Sequence, residues 1–487
     1  MSAKNLLALA VIGASATLVG CGSDDNNNAV TDSASSTYES RTGAVDCGIA
    51  TDTELNIIME DGSYAPLCEL SGSIVEDATL SSDNVYRLSG YVTVGTGNAE
   101  LELADAAAKT AVENAGVTLT IPAGTQFRSS GRGSLIISRG SEIAANGTAA
   151  APIVMSSVDA GYDGQGEWGG LVLQGFAKNN ECGDGLTGST AIACDTADEA
   201  LTGFHGGNDD TDSSGTISHL IIAEGGYEVA PDSEVNGITL HSVGYGTSIS
   251  DVMVYGNADD GIEFFGGAAN VSNLILIDNG DESLDWDNGW RGNVQFALVR
   301  QGVSNEGDHG IEADTAGPAN DALPDSAPVI ANVTFQEVAT ETADDLFRFK
   351  KGTNGTLINI AADGYVECVK AEGTDVDVTF VNVVAECGEY VAADRTEAAN
   401  AYLTGDAGEA SLTGMATTDF GNITVELGDL FEVTTANGTL STAPTFTSAN
   451  GSADSFFTAT TYVGAVDPSA TEAWYAWAEA VIPAAFQ

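Results

Sequence analysis

Between about Val117 and Val384 the apolar residues fall in short β-branched runs broken by Gly, Asn and Asp: "VTLTIPAG", "SLIISRG", "PIVMSS", "GLVLQG", "TISHLIIAEGG", "NGITLHSVG". Alternation at a period of two predicts strands, and the turn residues end each one after a few positions. Helix-period stretches and helix caps are nearly absent here. The pattern also repeats. "SISDVMVYGNADDGIEFFGG" from Ser248 overlies "NVSNLILIDNGDESLDWDNG" from Asn270 at an offset of 22 residues without a gap. A third copy, "NVQFALVRQGVSNEGDHGIEAD", ends in Ile311-Glu312-Ala313, and a more distant one ends in Phe347-Arg348-Phe349. A repeat of about two dozen residues built of short strands, with no helix between them, is one coil of a parallel β-solenoid. Leucine-rich repeats share the period, but their LxxLxL consensus is missing.

Strand alternation sends Ile262, Phe264, Leu284 and Trp286 inward and leaves Glu263 and Asp285 outward. Outward residues of successive rungs stack about 4.8 Å apart. Glu263, Asp285 and Glu312 therefore form one column, with Arg348 at its far end.

The flanks differ from this repeat. Residues 1–20 carry one Lys and a short apolar run, too short to span a bilayer, with the grammar of a signal peptide. Leu18-Val19-Gly20-Cys21 resembles the bacterial lipoprotein lipobox, which implies lipidation of Cys21. By the same resemblance, Gly22 favours the outer membrane, and Ser23-Asp24-Asp25 is similar to the surface-export signal of Bacteroidota lipoproteins. Residues 21–46 hold almost no large apolar side chain and read as a flexible tether. Residues 47–116 are expected to cap the first rung, because an open solenoid end exposes unpaired strand edges. The β-helix is expected over 117–388. Beyond it, 389–487 form a C-terminal region in which "YVAADRTEAANAYLTG" reads as a helix. There Trp474, Tyr475 and Trp477 are available to cover the other end, as packing residues rather than ligand contacts.

Formal charge is 15 − 71 = −56. A surface this acidic repels phosphate backbones, which excludes nucleic acid as a partner, and it attracts divalent cations. Six cysteines follow Cys21, an even set that reads as disulfides in an exported chain. Fifteen pairings are open. The expected one is sequential, Cys47–Cys68, Cys182–Cys194 and Cys368–Cys387, because each pair brackets a single excursion.

Two chemistries suit the acidic column. Carboxylates one rung apart repel by about 3.5 kcal/mol at an effective dielectric near 20, and Ca²⁺ relieves this with its six to eight oxygen ligands. The loop "DDTDSSG" also has the first half of an EF-hand-type pattern in Asp210, Asp212 and Ser214 with Gly215 at the turn, although position twelve is Ile221 and the closing Glu is missing. A solvated turn reads the same way. Catalysis is the other option, since neighbours in the column lie near the roughly 5 Å carboxyl separation of retaining glycosidases. Glu263, Asp285, Glu312 and Arg348 are the candidates, without a recognisable lyase or glycosidase signature. Trp290, beyond the turn, is the candidate sugar platform. The four histidines show no metal-ligand spacing, though His219 and His241 sit one rung period apart and are expected to stack.

"GSLIISRGSEIAANGTAAAPIVMSS", "EWGGLVLQGFAKN", "GGNDDTDSSGTISHLIIAEGG", "DDGIEFFGG" and the closing "FFTATTYVGAVDP" resemble a family of right-handed parallel β-helix lipoproteins and secreted proteins of Bacteroidota and marine Proteobacteria. Automated naming often labels its members "multidrug transporter". The resemblance implies an all-β fold and an envelope location, and it transfers no catalytic residues. The expected function is a lipid-anchored, surface-facing outer-membrane protein that binds or builds without catalysis: capture of a glycan or other ligand, adhesion, or service to a TonB-dependent receptor, with calcium as stabiliser. The alternative is a polysaccharide lyase or glycoside hydrolase using the stacked carboxylates.

Overall fold

The computed structural model describes residues 37–59, 61–101, 106–158, 161–181, 193–198, 202–230, 233–302, 307–315, 323–338, 345–372, 376–386, 411–413, 425–427, 433–435, 443–450, 456–467, 469–470 and 473–479. Cys21, the tether up to residue 36 and the expected helix at 390–405 lie outside them, as do Cys182 and Cys387; residues 37–46, expected as flexible tether, instead include the paired strand Tyr38–Ser40.

One 25-stranded sheet winds through the described chain as a parallel β-helix. Each full coil contributes a short strand and a long one. The short series runs Leu171–Gln174, Ile238–His241, Ile262–Phe265, Leu284–Asp287, Ile311–Ala313, Asp345–Lys350 and Glu367–Glu372, each strand parallel to the next. Alternation fixes what it buries. Leu171, Ile238, Ile262, Leu284, Ile311, Phe347 and Val369 stack as one inward column. Beside it, Trp286 follows Phe264 and is itself followed by the small Ala313, so volume is shared between rungs.

The long series, Gly215–Ala223, Ser248–Tyr255, Asn270–Ile277, Asn293–Gln301, Val329–Glu337, Asn354–Asp363 and Asp377–Glu386, bends in mid-strand. At the bend, His219, Asp251, Asn273, Phe296, Asn332, Asn359 and Asn382 all take left-handed φ between 47° and 64°. Each is skipped by the ladder pairing on both sides of it. Asn and Asp tolerate this conformation better than other non-glycine residues, and their side chains then bond along the stack: Asn273 Nδ2 donates to Asp251 Oδ1 at 2.9 Å and Asn382 Nδ2 to Asn359 Oδ1 at 2.9 Å. What reads in sequence as one strand is two faces joined at a corner, giving three faces per coil.

Parallel stacking starts earlier than the expected boundary at 117. Tyr64–Ile74 already pairs in parallel with Val85–Val94, and the antiparallel strands Thr51–Ile58 and Tyr38–Ser40 cover the opening edge. Cys47 and Cys68 are bonded there, with Cα atoms 5.7 Å apart. Cys368 is also disulfide-bonded, while its expected partner Cys387 and the side chain of Cys194 lie outside the description.

The C-terminal residues depart from expectation. Trp474, Tyr475 and Trp477 do not close the end of the solenoid; they pack along its flank. The described residues among 443–479 lie over the bent strands as a strap. Ala449 N donates to Asn293 Oδ1 (2.9 Å), Thr458 N to Gln295 Oε1 (2.8 Å), and Gly464 N to the Asn359 carbonyl (2.8 Å). Tyr475 and Trp477 then bury an outward apolar column made by Ile221, Met253, Ile275 and Leu298. The physical reason is that these strands are apolar on both faces, so the outer face needs a cover. Among the described residues no helix is long and apolar enough to cross a membrane.

Candidate functional site

The expected register of the outward column is the observed one. Glu263 pairs with Asp285, Asp285 with Glu312, Glu312 with Arg348, and Arg348 with Lys370; Thr239 precedes Glu263. The chain therefore sets three carboxylates and then two cations on one line.

A second line, unrecognised in the sequence, lies beside it. Counting three residues back on each rung gives Asn236, Asp260, Glu282, His309, Asp345 and Glu367; those from Asn236 to Asp345 are buried. Side-chain and backbone bonds stitch both lines together. Asn236 Nδ2 donates to Glu263 Oε2 (2.5 Å), Asp260 N to Asn236 Oδ1 (3.2 Å), and Glu282 N to Asp260 Oδ1 (3.0 Å). Arg348 Nη1 lies 2.9 Å from His309 Nε2 and its Nε 3.5 Å from Glu312 Oε1; since a guanidinium only donates, Nε2 accepts. Lys350 also pairs with Glu312, and Lys370 Nζ is 3.6 Å from Asp345 Oδ2.

Carboxylate oxygens of Asp260, Glu282 and Asp285 lie within 4.8 Å of one another. Burial first, and the charge of Glu282 next, push the Asp260 carboxyl well above its ordinary range. Glu282 is raised by burial and then by Asp281; Asp285 by burial and then by Glu282 and Glu312. Asp285 Oδ1 is a buried acceptor without a hydrogen-bond partner. On the same strand Asp287 is raised to about 6 by burial and the neighbouring Asp314. A half-buried carboxylate with a vacant lone pair, crowded by two like groups, fits a divalent cation: the donor set is all oxygen and the uncompensated charge is negative.

Other candidates move away from this site. Trp290 is fully buried, stacked on Phe264 with ring centroids 3.8 Å apart, and its Nε1 donates to the Ala269 carbonyl at 3.3 Å; it cannot act as a sugar platform. Trp168 of "EWGG" is equally buried. Asp210 is held by Lys178 Nζ at 2.8 Å and Arg291 Nη1 at 3.1 Å, and Asp212 Oδ2 accepts from Phe176 N at 2.8 Å. Asp210 thus already has two cations, whereas Asp212 is raised to about 6, by burial first and with Asp209 adding to it, and Ser214 is buried. His219 and His241 do not stack either. His219 stands at the corner with its ring centroid 5.1 Å from that of Trp477, whereas His241 is sandwiched between His205 and Phe265, at 4.6 Å from each.

A signal for the missed line was present. Asp259-Asp260 and Asp281-Glu282 align across the repeat, but their place in the turn before the strand does not reveal that they face the same side as Glu263 and Asp285.

The model of a protein family described as a pectate-lyase like β-helix domain matches residues 72–449, well over half of the chain, and it supports right-handed winding of the solenoid. No curated protein and no solved structure matches the chain.

Proposed function

Because the chain belongs to the pectate-lyase-like β-helix family and sets three carboxylates against a cationic pair on one outward face, we propose that this face binds an acidic polysaccharide through a divalent cation. The observation that carries the proposal is the convergence of Asp260, Glu282 and Asp285, with Asp285 Oδ1 lacking a partner. These three residues would hold the ion, and calcium suits them best, because it accepts irregular oxygen geometry. A bound cation would relieve their repulsion and supply positive charge for a sugar carboxylate. Two and three rungs beyond Asp285, about 10 and 14 Å away by strand spacing, Arg348 and Lys370 offer a second attraction for the polymer's charge. Glu312, paired with both Arg348 and Lys350, keeps those cations on the face.

A second reading, β-elimination of the bound polymer, is favoured by one observation. His309 is buried on the second line, with Nε2 accepting from Arg348 of the first, so an imidazole and a guanidinium adjoin the carboxylates where a proton next to a sugar carboxylate would be removed. In either reading we place the domain outside the cell, held at the outer membrane by a lipid on Cys21, where captured glycan could pass to a TonB-dependent receptor; the lipobox and the acidic tether support it.

The test is affinity electrophoresis of the full chain through uronate-containing, sulfated and neutral polysaccharides, with Ca²⁺ or with EGTA. Retardation by acidic polymers only, lost with EGTA and in Glu282→Gln, is expected. Equal mobility in acidic and neutral gels with Ca²⁺ present would overturn the proposal. Ultraviolet absorbance of an unsaturated product separates elimination from binding.

A further inference from the structure

At the C-terminal end of the same strands, on the same outward side, lies a second group of oxygens outside the ligand set of Asp260, Glu282 and Asp285. Asp287 and Asp314 occupy adjacent rungs, since Trp286 pairs with Ala313 and Asp314 N donates to the Trp286 carbonyl at 2.8 Å. The segment Asn179–Glu181, which leads into the long excursion between two rungs, comes down on them: Asn180 N donates to the Asn288 carbonyl at 3.1 Å. Asn180 Nδ2 donates to the Thr315 carbonyl and, at 3.1 Å, to the Pro324 carbonyl, which fixes its amide orientation.

That orientation leaves Asn180 Oδ1 without a donor. Asn288 Oδ1 and Asp314 Oδ1 are in the same state, and both residues are more than nine-tenths buried. Among the described residues here, the side-chain atoms lacking a partner are therefore all acceptor oxygens. A buried acceptor without a donor costs about 1–3 kcal/mol; Asn288 and Asp314 stand on neighbouring rungs, and Asn180 is bonded to the backbone of both turns. Charge agrees. Glu181, Asp287 and Asp314 carry −3; Lys351, whose Nζ is 2.7 Å from Asp314 Oδ2, returns +1; the remainder of −2 equals one divalent cation. Lys350 also faces Asp314 but is paired with Glu312.

We propose that Asp287 and Asp314, with the side-chain amide oxygens of Asn180 and Asn288, form a second, oxygen-only site for a hard divalent cation that fastens the excursion to the solenoid. Its ligands come from two elements far apart in sequence, so binding the ion and ordering the excursion base are one event. The first cation serves the glycan; this one serves the loop beside it.

The experiment is calcium titration of the EGTA-stripped full chain, read as bound metal per chain by native mass spectrometry, with limited proteolysis of the excursion in parallel. Two ions per wild-type chain are expected. Asp314→Asn should lose one and make the excursion protease-sensitive even with Ca²⁺, while Glu282→Gln loses the other and keeps the excursion protected. A single ion lost in Glu282→Gln but kept in Asp314→Asn overturns this site and leaves the glycan proposal standing. A single ion lost in Asp314→Asn but kept in Glu282→Gln supports this site and overturns the glycan proposal's cation. No bound ion overturns both. Should Asp314→Asn fail to fold, Asn288→Ala removes one ligand oxygen without changing charge. It should weaken binding at this site by about tenfold or more, as loss of supporting groups does elsewhere, and an unchanged affinity overturns the assignment.

Discussion

Replacing Asp285 by Asn should have opposite effects with and without calcium. In the wild-type apo protein Asp285 faces like charge from Glu282 and Glu312. One such pair a rung apart costs about 3.5 kcal/mol at an effective dielectric near 20. Partial exposure of the Asp285 side chain screens this further, which leaves about 1–2 kcal/mol for the substitution to recover. The amide keeps the shape of the carboxylate and removes its charge. Apo Asp285→Asn should therefore melt about 2–4 °C above apo wild type. Saturating Ca²⁺ should reverse the order, because wild type gains binding free energy that the variant has largely lost. The pH dependence has a fixed sign. A carboxyl whose folded pKa is raised contributes stability that is present below its unfolded pKa and lost as pH rises through the folded value. Apo wild type should thus weaken more than the variant does as pH rises from the ordinary carboxylate range near 4 to 8, and Ca²⁺ should flatten the difference. Differential scanning fluorimetry of both proteins, with EGTA or Ca²⁺ across that range, is sufficient. An apo variant that melts below apo wild type, as an ordinary buried polar loss would, refutes the reasoning.

Further outcomes follow from the packing and the termini. Trp477→Ala removes a buried indole from the strap and should cost about 3–5 kcal/mol locally, seen as strap release in limited proteolysis and dye binding to the uncovered Ile221–Met253–Ile275 column; an unchanged digestion pattern would contradict it. The His241 imidazole, fully buried, is held down to about 4 by burial. Its contribution, at most about 3 kcal/mol, should be complete above the unfolded value near 6.5 and lost as pH falls toward 4, so His241→Phe should show a shallower acid limb in urea melts than wild type. Cys21→Ala should release the protein from washed outer membranes, because single-residue loss of the acyl anchor removes its membrane affinity; retention of the variant would count against the lipobox.

The β-helix and its register were legible because they rest on the strongest signal a chain carries, an ungapped repeat. Ser248–Tyr255 overlies Asn270–Ile277 residue for residue, and from that alone Glu263 falls on Asp285. Even the distant copy at Arg348 aligned, since "LFRFK" keeps the alternation after a longer turn. The corner was not legible as a corner: Asp251, Asn273, Asn332 and Asn359 sit at one repeat position, but a polar residue inside an apolar run looks like simple alternation. Trp290 misled because a turn after a strand usually faces water, whereas here "DNGW" folds its indole back onto Phe264. The strap was missed for another reason. "NLILI" and "DVMVY" are apolar on both faces, which signals a cover without naming it, and the cover arrives from some 200 residues downstream. The line of Asp260, Glu282 and His309 required knowing how the turn before each short strand is oriented, and local pattern does not encode that.

The most direct measurement is a crystal structure of the full chain grown with Ca²⁺ and a short acidic oligosaccharide, with calcium located by its anomalous scattering. The predicted result is an anomalous peak among Asp260, Glu282 and Asp285, with a sugar carboxylate on the ion and the polymer running along the rungs toward Arg348 and Lys370. Density for the oligosaccharide on another face, with no peak among those three carboxylates, would contradict it.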